Sequence, residues 1–224
     1  MKKVEEIELY AGNEPLDLLK KAIVTFDSEL AKNTVSKALA QDIEPIKIME
    51  AMTNAIQAVG KAFGEGDLFL PDLIGASDAF SAALPLVEEE IKKTGTQRKT
   101  LGTVVIGSVY GDYHTIGKAM VITLMRAGGF EVHDLGVNVK ADDFIKAVNH
   151  YRADTLGMSA LMSTTIPEQE KVIRKLEEQG IRNKVIVMVG GGAVTQEYAD
   201  AIGADGYGKD AFSALKIAKS LVRN

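Results

Sequence analysis

Two residues of this 224-residue chain stand out as able to do chemistry, Asp112 and His114, separated by a single residue in a loop rich in glycine and hydroxyl groups. Imidazole is a good ligand for late first-row metals, and a neighbouring carboxylate that takes one ring N–H fixes the tautomer and raises the basicity of the other nitrogen. The chain has 3 histidines. His133 and His150 fall on other elements, so His114 is the candidate ligand.

The surroundings of this pair define the elements that must hold it. An apolar run at 103–109 ends in the loop, an apolar-periodic segment at 117–127 follows, and a short run at 131–135 comes next, which predicts strand, loop, helix, strand. The alternation continues. Strands are expected at 103–109, 131–135, 155–160, 184–189 and 204–207, with helices at 117–127, 140–150, 167–179, 195–202 and 210–222. Alternating strands and helices imply a parallel sheet covered on both faces, and five strands suggest the doubly wound, flavodoxin-like order 2-1-3-4-5. In that order the carboxyl ends of strands one, three and four are neighbours. Their loops are the Asp112–His114 loop, the hydroxyl-rich 159–165 and the glycine run 190–192. They would converge on a slot for a large organic ligand.

Everything before this alternation reads as helix. Pro15 suits a first helical turn, and helices are expected after Asn13, at 28–40, from Pro45 to Phe63, and at 72–92, with GEGDLFLP (64–71) as a break. Four helices with short connections imply an antiparallel bundle. The sequence thus divides into a helical bundle at 1–93, a polar, glycine-containing linker at 94–102 and an α/β domain at 103–224. Phe63, Phe69 and Phe80 are read as bundle core, and Met158 and Met162 as packing residues.

Composition excludes several classes. A net charge of -5 provides no basic footprint for nucleic acid. Cysteine is absent, which removes disulfides and thiolate metal sites. Residues 1–14 are charged and lack the apolar core of a signal peptide, and no apolar run approaches the roughly 18 residues of a membrane span, so a cytoplasmic protein is expected. A P-loop would need a Gly-Lys-Ser/Thr ending, a dinucleotide site a G-x-G-x-x-G after the first strand, and a phospho-receiver an aspartate where Ser159 stands. None is present.

Asp112-x-His114-x-x-Gly117, followed by Ser159-x-Leu161 and Gly190-Gly191, is similar to the fingerprint of cobalamin-binding domains that take the cofactor with its benzimidazole displaced and a protein histidine on cobalt. The preceding bundle, with its GDLFLP segment, resembles the cap domain of cobalamin-dependent methyl carriers. From end to end the chain resembles the small corrinoid proteins of methylamine, methanol and quaternary-amine methyltransferase systems, which serve methanogenesis or methylotrophic acetogenesis.

The resemblance implies a set of roles. His114 would be the lower axial ligand of cobalt in a base-off cobalamin or related corrinoid, flanked by Thr115, Ile116 and Gly117. Asp112 would orient it, and the relay would end on Thr165, where many relatives carry serine. Thr165, just before Ile166 and Pro167, is equally suited to cap the following helix. Ser159 and Ser163 would contact the nucleotide tail, with Gly190, Gly191 and Gly192 leaving room for it, and Leu161 would belong to the same cofactor site. The bundle would cover the upper face of the corrin, its small residues between Gly75 and Ala83 lying flat on the ring. A methyl-carrier subunit rather than a complete enzyme is implied, serving a substrate-specific methyltransferase and a second methyltransferase, with room for a reductive activation protein. The alternatives are the small subunit of an adenosylcobalamin-dependent isomerase, which would need no bundle, and a cobalamin-sensing module, which would need a DNA-binding element.

Overall fold

The computed structural model describes residues 15–93 and 100–222. The signal-peptide reading of 1–14 and most of the linker lie outside these residues. The chain divides into two compact units, Met1–Lys99 and Thr100–Asn224.

Among the described residues, the first unit holds helices α1 (Pro15–Val24), α2 (Ser28–Ala40), α3 (Pro45–Glu65) and α4 (Leu70–Lys93). Local chemistry sets most boundaries. The Asp27 carboxylate accepts from the Leu30 N–H at 2.9 Å and caps α2. Gly66 ends α3 at φ 83, a left-handed cap that glycine adopts without strain. The fourth helix begins at Leu70, two residues earlier than its sequence pattern suggests, because the Asp72 carboxylate accepts from the Phe69 N–H at 2.8 Å and Pro71 needs no partner in a first turn. Leu19, Ile23, Val35, Ile48, Met52, Ile56, Leu73 and Phe80 are fully buried and form the core.

Two expectations for this unit change. Phe69 is 58% exposed and is not a core residue. The small-residue stretch of α4 is largely consumed by helix packing: Ala76, Ala79 and Ala83 are fully buried, and a Cβ on Gly75 would come within 2.8 Å of the Phe26 ring. It is no free platform for a ring. Leu70–Ile91 contains an 18-residue stretch that is long and apolar enough to cross a membrane by length and composition alone. Phe80 and Val87 join the three buried alanines along it, so the apolar face of α4 is a bundle core.

The second unit alternates strand and helix: β1 (Thr103–Ser108), α5 (Ile116–Ala127), β2 (Glu131–Asp134), α6 (Ala141–Tyr151), β3 (Thr155–Ser159), α7 (Pro167–Glu178), β4 (Ile186–Gly190), α8 (Gln196–Ala201), β5 (Gly206–Gly208) and α9 (Ala211–Val222). The sheet is parallel throughout, in the order β2-β1-β3-β4-β5, which is the doubly wound order expected. Strands buried on both faces read as continuous apolar runs, which is why Val104, Val105 and Ile106 carry no alternation. The fourth strand starts at Ile186 rather than 184. Arg182–Lys184 forms a 3-10 turn, held by Arg182, which pairs with Asp205 at 2.9 Å and donates to the Val185 carbonyl at 3.2 Å.

Candidate functional site

Strand register brings the three loops level. Ser108 pairs with Ser159, Ser159 with Gly190, and Gly190 with Gly208, so β1, β3 and β4 end side by side. Ligands bind at this edge of open α/β sheets, beside the point where strand order reverses. Here that point lies between β1 and β3.

Asp112 is the centre of the site. Its side chain is 1% exposed, yet it is an ion. Burial pushes its carboxyl up, but the His114 N–H, the His114 ring, the Leu161 N–H and the Thr165 hydroxyl all donate to it and together hold it down to about 2. One oxygen, Oδ1, accepts from the His114 N–H at 3.0 Å and from His114 Nδ1 at 2.9 Å. The other, Oδ2, accepts from the Leu161 N–H at 2.7 Å and from the Thr165 hydroxyl at 2.8 Å. A carboxylate has only acceptors, so in the neutral imidazole Nδ1 carries the proton and Nε2 keeps its lone pair. Among the described residues nothing hydrogen-bonds to Nε2, and the His114 side chain is half exposed.

Thr165 therefore bonds to Asp112 and does not cap α7. The residue at the N-cap of α7 is Ile166, without a side-chain cap bond. The Thr165 hydroxyl lies 2.9 Å from the Met162 carbonyl as well. Its one proton favours the anionic acceptor, since charge-assisted bonds are the stronger.

The other expected residues occupy varied positions. Thr115 caps α5 without a side-chain bond, and Ile116, at 58% exposure, opens that helix. Ser159 ends β3, half-buried; Ser163 is exposed on the next loop, and neither hydroxyl hydrogen-bonds to the Asp112 cluster among the described residues. Leu161 is exposed, and it is its backbone N–H that joins the cluster. Gly190 and Gly191 are demanded by the fold itself, since a Cβ on them would come within 2.8 Å of the Gly208 carbonyl and 2.0 Å of the Ala160 carbonyl, whereas at Gly192 it would meet only the movable end of the Leu161 side chain. Met158 is buried in the core, but Met162 is 38% exposed at this edge, so it is not the packing residue expected. Tyr110 and Tyr113 are exposed on the same loop as His114.

Sequence reasoning missed three residues that shape the site. Ser108 donates to the His114 carbonyl at 2.8 Å. Asn138 accepts from the Gly111 N–H at 2.8 Å. Gln169, fully buried on α7, donates to the Met158 and Gly190 carbonyls at 3.0 Å and 3.2 Å and so ties β3 to the glycine run. Asn138 alone carried a signal, because asparagine in a Gly-Val-Asn-Val run at the carboxyl end of a strand suits a left-handed turn.

Residues 102–216 match the B12 binding domain family, and residues 16–88 match a second family, also described as a B12 binding domain. The chain is 41% identical over 202 residues to the trimethylamine corrinoid protein of Methanosarcina barkeri, covering 90% of this chain and 93% of that one. This protein belongs to the corrinoid protein family. A dimethylamine corrinoid protein of Methanosarcina mazei is likewise 41% identical, over 93% of this chain and 96% of its own length. In three dimensions the chain resembles a chain of the methanol:cobalamin methyltransferase complex MtaBC from Methanosarcina barkeri, with a TM-score of 0.83 and 33% identity over 99% of this chain and 83% of that one.

The residues present fit a corrinoid. A neutral imidazole with its proton fixed on Nδ1 and its Nε2 free is a suitable donor for cobalt. Gly117 supplies a second sign. It sits in the first turn of α5, where glycine is a poor helix former, and a Cβ there would meet nothing within 4 Å. Protein packing does not require this glycine, whereas close approach of a bulky ligand beside His114 would.

Proposed function

We propose that this corrinoid protein carries a methyl group between a substrate-specific methyltransferase and a second methyltransferase, in the cytoplasm, with a reductive activation protein as a further partner. The bound corrinoid supplies a cobalt centre able to accept and release a methyl group. The chain supplies ligation, orientation and shielding. His114 Nε2 would hold the cobalt, Asp112 would hold the proton on Nδ1, and Thr165 with the Leu161 N–H holds Asp112. Threonine in place of the serine of many relatives keeps the donor, as its 2.8 Å contact with Asp112 indicates. Thr115, Ile116 and Gly117 border the ring, Ser159, Leu161 and Ser163 lie toward the nucleotide tail, and Gly190 to Gly192 keep side chains out of its way. The helical unit is proposed to shield the cofactor at rest.

The observation that carries the reading is the Asp112–His114 pair with its free Nε2, in a chain most of whose length resembles proteins named for methylamine systems. The likeness to a chain of a methanol:cobalamin methyltransferase complex supports a methyltransferase partner. These relatives favour the carrier over an isomerase subunit or a sensor. The test is electron paramagnetic resonance of the full-length protein, reconstituted with hydroxocobalamin and reduced by one electron. The wild type should show splitting from a protein nitrogen, while His114→Gly should lose the splitting and bind more weakly. The same spectrum in both, or a wild type that retains no corrinoid, would overturn the proposal.

A further inference from the structure

The turn that carries Asp112 and His114 is gripped from outside by a single residue of the β2–α6 connection. Asn138 Oδ1 accepts from the Gly111 N–H at 2.8 Å, and the Asn138 N–H donates to the Asp112 carbonyl at 2.9 Å. The Gly111 N–H and the Asp112 carbonyl are thereby both tied to one residue, 27 positions beyond Gly111. Asn138 adopts φ 55 and Gly111 φ 80, so each occupies the left-handed region that asparagine and glycine tolerate best.

The connection that presents Asn138 is itself fixed against β1. The Ser108 N–H donates to the Gly136 carbonyl and the Val139 N–H to the Ser108 carbonyl, each at 3.0 Å. Asp134 Oδ1 accepts from the Gly136 N–H at 2.9 Å and pairs with the buried Lys118 at the start of α5. Asn138 therefore clamps the backbone of the turn, while the Leu161 N–H and the Thr165 hydroxyl hold the Asp112 side chain.

We propose that Asn138 is a positioning residue for the His114 imidazole, acting through the Gly111–Asp112 turn. Asp112 Oδ1 receives both the N–H and the ring Nδ1–H of His114, so any rotation of the turn moves the carboxylate and, with it, the ring. Removing the Asn138 acceptor leaves the Gly111 N–H without its partner and frees that rotation. The effect on the imidazole follows from this geometry alone; the effect on ligand binding rests on the corrinoid reading.

The test uses the full chain with Asn138→Gly, which keeps the backbone conformation and the N–H but removes the acceptor, and Asn138→Asp, which keeps the acceptor. Nitrogen-15 NMR of the His114 ring, recorded without corrinoid at alkaline pH, should show one tautomer with the proton on Nδ1 in the wild type and Asn138→Asp. Asn138→Gly should show a mixture of tautomers and bind hydroxocobalamin roughly tenfold more weakly, the low end of the loss seen when an outer partner of a metal ligand is removed. A single Nδ1–H tautomer in Asn138→Gly would overturn the assignment, whether binding is unchanged or is weakened through a direct contact. Should Asn138→Gly fail to melt cooperatively, the wild-type Gly111 amide decides: slow hydrogen exchange supports the clamp and rapid exchange overturns it. A wild type that ignored hydroxocobalamin would sink the corrinoid reading while the tautomer measurement still decided the role of Asn138.

Discussion

Asp112 shows how a carboxylate can be nearly inaccessible and still charged. Four donors reach its two oxygens, and their sum exceeds the cost of burial. Held at about 2 against an ordinary 3.8, the group contributes about 2 kcal/mol to folding. Because the folded-state value is depressed, that contribution is complete above the unfolded-state value and is lost as pH falls through about 4 to about 2. Asp112→Asn places an amide donor where the carboxylate accepted, opposing at least one of the four donors. In urea unfolding of the protein without corrinoid, the variant should be less stable than wild type by about 1–3 kcal/mol near neutral pH. The gap should narrow at about pH 3, since there the carboxyl is already protonated in the unfolded wild type while the folded state still holds it charged. A gap that stays constant with pH would show that the carboxylate charge contributes nothing.

Helix α5 and the glycine run at the end of β4 illustrate two different reasons for glycine. At Gly190 and Gly191 the backbone itself occupies the space that a Cβ would need, and Gly191 in addition sits at φ 125. Their absence of side chains is explained by β3 and β5 packing alongside. Gly117 has no such neighbour. In the protein without ligand, Gly117→Ala should raise stability by roughly 0.5 kcal/mol, by lowering the conformational entropy of the unfolded chain and favouring the helix. If the open space receives a corrinoid, the same methyl group should weaken hydroxocobalamin binding. Urea unfolding and a binding titration on one preparation measure both effects. Gain in stability without loss in affinity would show that the ligand does not approach α5 at this point.

Each unit carries its own core. In the α/β unit it runs from Val105 through Phe144, Leu156 and Ile173 to Ala199 without recourse to the helices before it, and in the helical unit Leu19, Ile48, Met52 and Phe80 are fully buried. Residues 100–224 expressed alone should therefore unfold cooperatively and bind hydroxocobalamin, because His114, Asp112, Thr165 and the clamp at Asn138 all belong to that unit. If the helical unit shields the cofactor, the reduced cofactor should re-oxidise faster in the truncated protein than in the full chain. Stopped-flow absorbance after mixing with oxygen measures this, and equal lifetimes would assign the helices a role other than shielding.

The order of elements was legible because its signals are local. Continuous apolar runs mark buried parallel strands, apolar residues at helical spacing mark the helices between them, and Pro15, Asp27, Gly66 and Pro167 mark ends that act through their own backbone neighbourhood. Asp112 and His114 were legible for the same reason, since two positions in one loop suffice to bring carboxylate and imidazole together. The rest of the site is non-local. Leu161, Thr165 and Asn138 stand 49, 53 and 27 residues from the groups they bind, and they meet only because parallel register sets Ser108 beside Ser159 and Ser159 beside Gly190. Whether Thr165 capped its helix or served Asp112 depended on where that carboxylate came to rest. Whether Phe69 and Met162 were buried depended on which face of each segment met a neighbour. Hydrogen-bond partners and burial belong to pairs of distant segments, so they are decided when strands take their register and helices pack upon them, and no single stretch of sequence contains them.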